Sequence, residues 1–296
     1  MRHHLSATLT AILATLTVHQ LGIAQPVSAA ELIGLTSNNM LVSFNSDRPM
    51  KARQIKVSGV EGTLIGIDFR PANRMLYGVT DSSKIYTINP MTGMATMVSA
   101  LNTPFTGGVN AGVDFNPVAD RLRLVGSNGQ NFRINVETGA VTVDGALAYS
   151  EGDRSFGKMA GISAGAYTNS VAGTKATQLF NIDSSMDALV LQNPPNDGKL
   201  KTIGMLGTNF GATAGIDIMT DATGMNWAVA VSGPTLYSID LEKGAAKMMG
   251  RVSVNKRPVS LIDVAAVLPP APSATMPKPS MMSNPSMSNP SMMPKP

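Results

Sequence analysis

Four aspartates recur at the same place in a short repeated segment, and they are the residues best suited to chemistry. Asp68, Asp114, Asp217 and Asp263 lie in LIGIDF, AGVDF, AGIDI and LIDVA, and Tyr167 takes their place in a fifth segment, AGAYT. If the five segments surround a common axis, these side chains form a ring. Carboxylates brought together raise one another's pKa or collect a cation, and an oxygen-only donor set suits Ca²⁺ or Mg²⁺.

This ring of acids has three possible roles, and they stay open at the level of sequence. Each carboxylate can accept backbone N–H groups from a neighbouring repeat, the group can bind an ion or ligand along a channel, or it can catalyse hydrolysis. No cofactor is predicted outright, and a divalent cation is the one that the donors would suit. Tyr167 is either the polar end of a ligand site or an accommodation of the irregular loop before it.

The chain has no cysteine, and its three histidines, His3, His4 and His19, all precede residue 31. Ser-His-Asp triads, cysteine nucleophiles and histidine-ligated zinc are therefore excluded from the remainder of the chain. Catalysis there would depend on carboxylates, Tyr, Lys, Ser or Thr, or on a cation held by oxygen ligands.

The charge of the chain gives no sign of a nucleic-acid partner. The formal net charge is +4, but removing Arg2, Lys278 and Lys295 leaves +1 for residues 31–268. A nearly neutral segment lacks the basic footprint that nucleic acid or an anionic membrane requires. The sequence also contains no phosphate-binding loop, dinucleotide turn, EF-hand or zinc motif.

Two further segments are candidates for function. The charged connection Leu147–Ile162 contains Glu151, Asp153, Arg154 and Lys158, and is either a partner surface or a solvated connection. Clustered methionines after residue 269 could hold Cu(I) or consume oxidants, or could belong to a plain spacer. The other methionines are interpreted as filling gaps in the core.

Repeated hairpins indicate how the acids are positioned. LIGLTSNNMLVSFN at Leu32–Asn45 aligns without gaps with Leu76–Asn89, Leu122–Asn135 and Trp227–Asp240, and a degenerate copy ends at Asp183. Each copy reads as two alternating strands joined by a polar turn. Gly93, Gly139 and Gly244 then stand where a positive φ is expected. With the acid-bearing strands, the period of about fifty residues predicts four-stranded propeller blades.

The two ends of this pattern predict a closed ring. Three strands at Glu31–Thr36, Met40–Asn45 and Arg53–Ser58 lack an inner partner, and Leu261–Ala265 is a lone inner strand. Together they complete a fifth blade and cover edges that would otherwise be exposed. The predicted fold is thus an all-β, five-bladed β-propeller closed by N-terminal strands plus a C-terminal strand. A β-sandwich or an open solenoid is the alternative.

The chain divides into three segments. Residues 1–30 combine Arg2, an uncharged stretch at Ser6–Val18 and small residues at Val27–Ala30, which is typical of a secretory signal peptide rather than a membrane anchor. Residues 31–268 form the predicted propeller domain. Residues 269–296, rich in Pro, Met and Ser, are predicted to be a disordered tail. The protein is accordingly expected in the periplasm or outside the cell, without a membrane span after signal cleavage.

Several phrases resemble an exported bacterial family described only as a domain of unknown function, the 4394 family. They include LIGIDFRP at 64–71, LYGVTDSSKIYTINPMTG at 76–93, NGQNFRINVETGAV at 128–141 and LVLQNPPNDGKLKTIG at 189–204. The resemblance covers nearly all of residues 31–268, and NPPNDG is its most specific piece. It implies export and a propeller-like repeat, but no activity, ligand or catalytic residue.

Two functions of different classes are expected from these observations. The first is a non-catalytic binding or interaction propeller for an unknown small molecule, saccharide or protein. The alternative is a carboxylate- or cation-dependent hydrolase that acts on a saccharide or ester in the propeller channel. The two differ in one respect: structural acids would bond the neighbouring backbone and stay dry, whereas catalytic acids would converge on an open pocket.

Overall fold

The structure, a computed structural model, describes residues 29–108 and 111–268. The predicted signal peptide lies outside these residues except for Ala29 and Ala30, and the predicted tail lies wholly outside them. Within the described part, strands form five sheets arranged in a ring, which confirms the predicted five-bladed β-propeller. No helix of this part has the length and apolar character needed to cross a membrane.

The blades follow one another along the chain, each running from an inner to an outer strand. Blade 1 contains β1 (Glu31–Leu35), β2 (Met40–Asn45) and β3 (Arg53–Lys56). Blade 2 contains β4 (Leu64–Phe69), β5 (Leu76–Thr80), β6 (Lys84–Ile88) and β7 (Ala95–Ala100). Blade 3 contains β8 (Ala111–Asn116), β9 (Arg121–Gly126), β10 (Asn131–Asn135) and β11 (Ala140–Val143).

The remaining strands form two more blades and the closing element. The short strand β12 (Ala148–Tyr149) lies parallel to the outer edge of blade 4, which contains β13 (Ile162–Tyr167), β14 (Leu179–Asp183), β15 (Ala188–Gln192) and β16 (Lys199–Met205). Blade 5 contains β17 (Ala214–Thr220), β18 (Asn226–Ser232), β19 (Thr235–Ile239) and β20 (Ala246–Arg251). A small hairpin, β21 (Ser253–Val254) and β22 (Arg257–Pro258), precedes β23 (Asp263–Ala266). Two short 3-10 helices span Pro49–Lys51 and Pro195–Asp197.

The last strand closes the ring as predicted. β23 is the inner strand of blade 1 and pairs antiparallel with β1, with Leu32 opposite Ala266 and Leu35 opposite Asp263. The pairing continues at its end, where the Val267 N–H donates to the Glu31 carbonyl at 2.9 Å. Both ends of the described fold therefore share one sheet.

A second circle of contacts joins the blades near their outer strands. One backbone N–H at each junction donates to a carbonyl across it: Ser58 to Gly93, Asn102 to Gly139, Ala148 to Gly198, Ala246 to Leu206, and Ala52 to Ser253. Gly93, Gly139 and Gly244 have φ of 73°, 70° and 74°, which confirms their predicted conformation. A Cβ on Gly139 would also meet the Ala100 carbonyl oxygen, so this turn needs glycine for contact as well as for φ.

Blade 4 departs from the aligned repeat. An alignment that ends the degenerate copy at Asp183 matches Phe180 with Tyr86 of the third strand of blade 2, but Phe180 lies in β14, the second strand of its blade. The corresponding third strand is β15. The sequence LFNID of β14 resembles the end of a third strand such as IYTIN, and this likeness gave the wrong frame.

Apolar side chains pack in clusters between adjacent blades, with Ile67, Val113, Ile216 and Val264 each in a different cluster. The interpretation of the methionines outside the tail as core residues was wrong for most of those described. Met91 is 84% exposed, and Met50, Met94 and Met248 are also exposed. They lie on outer strands and turns, where the core has ended.

Candidate functional site

The five inner strands surround the axis, and each contacts its two neighbours in the order β23, β4, β8, β13, β17. This close approach depends on small residues: a Cβ on Gly112 would lie 2.5 Å from the Gly165 nitrogen of the next strand. The structure brings Asp68, Asp114, Asp217 and Asp263 into this region, and each is only 4–5% exposed. The predicted cluster of acids therefore exists, but it is buried.

Each aspartate accepts a backbone hydrogen bond from the next blade. Donors and acceptors are Ile67 to Asp263 at 2.8 Å, Phe115 to Asp68 at 2.8 Å, Tyr167 to Asp114 at 3.1 Å, and Ala266 to Asp217 at 2.6 Å. Three of the four also accept the N–H of the following residue, at 2.6–2.9 Å: Asp68, Asp217 and Asp263. The carboxylates thus connect neighbouring inner strands by hydrogen bonds.

Asp114 differs from the other three aspartates. Among the described residues, backbone N–H groups reach both oxygens of Asp68, Asp217 and Asp263 but only Oδ1 of Asp114. Its Oδ2 is therefore the one oxygen of the eight without an amide donor. This atom is the place where a proton can reside without displacing a backbone hydrogen bond.

The electrostatics of the group favour protonation. Burial, together with the charge of Asp217, raises the pKa of Asp68 well above its ordinary value. Burial and the charges of Asp68 and Asp217 do the same for Asp114, and burial raises the pKa of Asp263. Burial raises the pKa of Asp217 to about 6 although two backbone N–H groups oppose the shift. The acids repel one another, and a shared proton relieves that repulsion.

A cation is the other way to relieve the repulsion. One carboxylate oxygen from each of Asp68, Asp114 and Asp217 lies within 4.8 Å of the others, so that one cation could contact all three. These donors fit a hard cation. Most of their oxygens, however, already accept amide hydrogen bonds, so a cation would add to an existing network.

Tyr167 occupies the fifth position of the ring but takes a different role. Its hydroxyl accepts a hydrogen bond from Arg123 Nε at 3.1 Å, whereas its backbone N–H donates to Asp114. Among the described residues, the junction from blade 4 to blade 5 consequently has no inner-strand aspartate that accepts a backbone N–H group of the next blade. Asn226 replaces it, accepting the Asn169 N–H at 2.8 Å and the Thr220 hydroxyl at 2.8 Å.

Sequence reasoning missed Arg123, the centre of a polar network between blades 3 and 4. This side chain is 2% exposed and donates to Asn131 at 2.8 Å, Asp144 at 2.7 Å and Asn196 at 2.8 Å. Asn196 belongs to NPPNDG, so the most specific phrase of the family resemblance connects blades 3 and 4. The one signal in the sequence was a charged residue within the apolar run LRLVG.

The charged connection before blade 4 is firmly anchored at its base. The Tyr149 hydroxyl donates to Asp183 at 2.5 Å, and Asp153 accepts the Thr202 N–H at 2.7 Å and its hydroxyl at 2.9 Å. Beyond these anchors the segment presents Phe156, 60% exposed, and Met159, 86% exposed.

Comparisons with known proteins identify a family but no activity. The model of the family described as Domain of unknown function (DUF4394) matches residues 40–265, and no curated protein matches the chain. A structural genomics protein of unknown function from Bacteroides thetaiotaomicron VPI-5482 is 18% identical with a TM-score of 0.49, over 81% of this chain and 67% of that one.

A second solved structure, an auxiliary nutrient binding protein from Bacteroides ovatus ATCC 8483, is 14% identical with a TM-score of 0.40. The match covers 73% of this chain and 57% of that protein, so this chain spans little more than half of its length. At these identities and scores, neither structure informs the function of this chain.

Proposed function

Because the chain belongs to the family described as Domain of unknown function (DUF4394), its function has to be inferred from its own residues, and we propose that it is an exported, non-catalytic binding or interaction propeller. Its expected location is the periplasm or the cell exterior, on the strength of the N-terminal sequence pattern. Its partner is a small molecule, a saccharide or a protein.

The observation that carries this proposal is the burial of the axial aspartates. A hydrolase needs an acid and a base that reach the scissile bond. Here the carboxylates are 4–5% exposed, and each is bonded to the backbone of the next blade. This arrangement supports a structural role of the acids over an ion or ligand site and over catalysis. Recognition of a partner would then involve the surfaces of the blades and the connections between them.

The anchored connection before blade 4 supports an interaction role. Asp153 and Tyr149 fix its base, which lowers the entropy lost when Phe156 and Met159 become ordered against a partner. Glu151, Arg154 and Lys158 are exposed in the same segment. The segment thus combines two exposed apolar side chains with charged neighbours of both signs, as in an interface with an apolar centre and a polar rim.

The proposal is tested by screening the mature chain for binding and turnover together. Calorimetry against a panel of saccharides and small esters is followed by chromatography of the same mixtures for products. We expect binding without products. The proposal would be contradicted if the wild type formed products and a folded Asp114→Asn variant did not. That result would favour the alternative function, a hydrolase.

A further inference from the structure

A cleft of about 480 Å³ opens between blades 1 and 2. One wall comes from β2, β3 and the connection between them, and the other comes from Pro90 and Met91 in the turn before β7. Three basic side chains line it, namely Arg48, Lys51 and Arg53, and all three are exposed. We call it the cationic cleft. Its volume lies in the range of small-molecule sites.

The positive charge of the cationic cleft is only partly compensated. Among the described residues, Lys51 and Arg53 form no ion pair, and Arg48 meets only its exposed neighbour Asp47 at 3.4 Å. The one acid lining the cleft, Glu31, already accepts a hydrogen bond from Asn45 Nδ2 at 2.8 Å. Because residues 31–268 are nearly neutral as a whole, this local excess is a feature of the cleft and not of the surface in general.

Arg48 and Lys51 stand on the connection between β2 and β3, and Arg53 begins β3. Blades 2, 3 and 5 pass from the third to the fourth strand through a glycine turn, whereas blade 4 uses the 3-10 helix Pro195–Asp197 and blade 1 uses the 3-10 helix Pro49–Lys51. That connection is held by the Arg48 N–H on the Asn45 carbonyl and the Ala52 N–H on the Ser253 carbonyl. Blade closure explains Pro49, which packs near Gly250, but it does not explain three cations.

From these observations we infer that the cationic cleft binds an organic anion of monosaccharide to disaccharide size. Arg48, Lys51 and Arg53 would hold its carboxylate or phosphate, since guanidinium groups match both geometries. Ser43 and Asn45 offer hydrogen bonds to hydroxyl groups, and Pro90 and Met91 offer an apolar edge. The inference rests on the proposed binding function and names the class of ligand.

The test measures binding of four probes to the mature chain by calorimetry: galacturonate, glucose 6-phosphate, inorganic phosphate and neutral glucose. We expect at least one organic anion to bind about tenfold more tightly than glucose, as a charge-assisted hydrogen bond predicts. Whichever of the two organic anions binds more tightly shows whether the cleft prefers a carboxylate or a phosphate group. Inorganic phosphate binding as tightly as both would overturn the requirement for an organic ligand.

Two variants with the same change in net charge locate the binding. Arg53→Glu should weaken the binding of the preferred anion at least about tenfold. Lys247→Glu serves as the control, because Lys247 stands opposite Ser238 in blade 5 as Arg53 stands opposite Ser43 in blade 1. The control should retain wild-type affinity, and circular dichroism should show both variants folded, since both residues are exposed.

The outcomes separate this inference from the proposed function. No anion binding, or equal loss in both variants, sinks the cationic cleft as a site. If no anion binds but another ligand binds the wild type and the cleft variant equally well, the cleft is excluded as a site and the binding function is left intact. Turnover of a bound probe would instead count against the proposed function.

Discussion

At the scale of single residues, Asp114 distinguishes itself within the group of axial acids. Asp68, Asp217 and Asp263 use both carboxylate oxygens as acceptors for backbone N–H groups, and Asp114 uses one. A proton on Asp114 Oδ2 can therefore lower the repulsion without cost to the network. The pKa values of all four acids are raised, so the group should make stability depend on pH.

The sign of this pH dependence follows from linkage. Acids with a raised pKa in the folded state stabilise it below their unfolded pKa of about 3.9 and lose that contribution as pH rises through the folded pKa, which is about 6 for Asp217. The wild type should thus lose stability between these values and above. Asp114→Asn should flatten the loss and raise the melting temperature at pH 7.5 by about 2–4 °C, the shift that ~1 kcal/mol gives.

Asp217→Asn is the control for Asp114→Asn. Its new NH₂ group would face the N–H of either Ile218 or Ala266, both of which donate to Asp217. At pH 5 it should lower the melting temperature, because a lost buried hydrogen bond costs about 1–3 kcal/mol. Similar curves for the two variants would contradict the special role of Asp114. A shift on adding EDTA or Ca²⁺ would favour a cation instead of a proton.

At the scale of elements, the turn before the fourth strand joins each blade to the one before it. Gly139 has a φ of 70° and lies against the outer end of blade 2, where its carbonyl accepts the Asn102 N–H at 3.0 Å. In blade 4 the same place is taken by NPPNDG, with Asn196 on Arg123. The joint at Gly139 is a main-chain contact, so it tolerates little added volume.

Gly139→Ala should destabilise the protein more than Gly129→Ala. Both glycines have a positive φ, which costs alanine about 1 kcal/mol, but a Cβ on Gly129 meets nothing within 4 Å. On Gly139 the Cβ collides with the Ala100 carbonyl, so we expect a loss of about 3 kcal/mol. Urea unfolding of both variants measures the difference, and equal losses would show that the outer joint is not rigid.

Element by element, the repeat made most strands predictable and left particular contacts hidden. The alternation in Leu76–Asn89 and its copies specifies hairpins, because residues of one strand face share one environment. It does not specify that Arg123 reaches Asn196, since the two lie in different blades and 73 residues apart. Nor could the repeat show that the acids are buried, because their burial depends on how closely Gly112 lets two strands approach.

At the scale of the whole molecule, β23 closes the ring by pairing with β1. This strand covers the edge of β1, accepts the Ile67 N–H through Asp263 and donates the Ala266 N–H to Asp217. Its position was predictable because three N-terminal strands lacked an inner partner. The location of the cationic cleft was not, since it depends on how Met91 and Arg53 meet across two blades.

Truncation separates closure from the tail. A chain that ends at residue 268 should melt like the full-length protein, since every described strand is kept. A chain that ends at residue 259 loses β23 and should lose cooperative unfolding, because β1 becomes an open edge and Ile67 loses its acceptor. Calorimetry of the two chains is the measurement. A cooperative transition at the original temperature in the shorter chain would show that the other blades suffice.

The antiparallel pairing of β1 with β23 has a mechanical consequence. The chain enters the ring at Glu31 and leaves it at Val267, and the two residues are hydrogen-bonded to each other. If the two ends were pulled apart, the load would fall on this first bond alone and then on each following bond in turn, as in opening a zipper. Heat must unfold the ring as one unit. A weak force that pulls the two ends apart would instead separate β1 from β23 one hydrogen bond at a time.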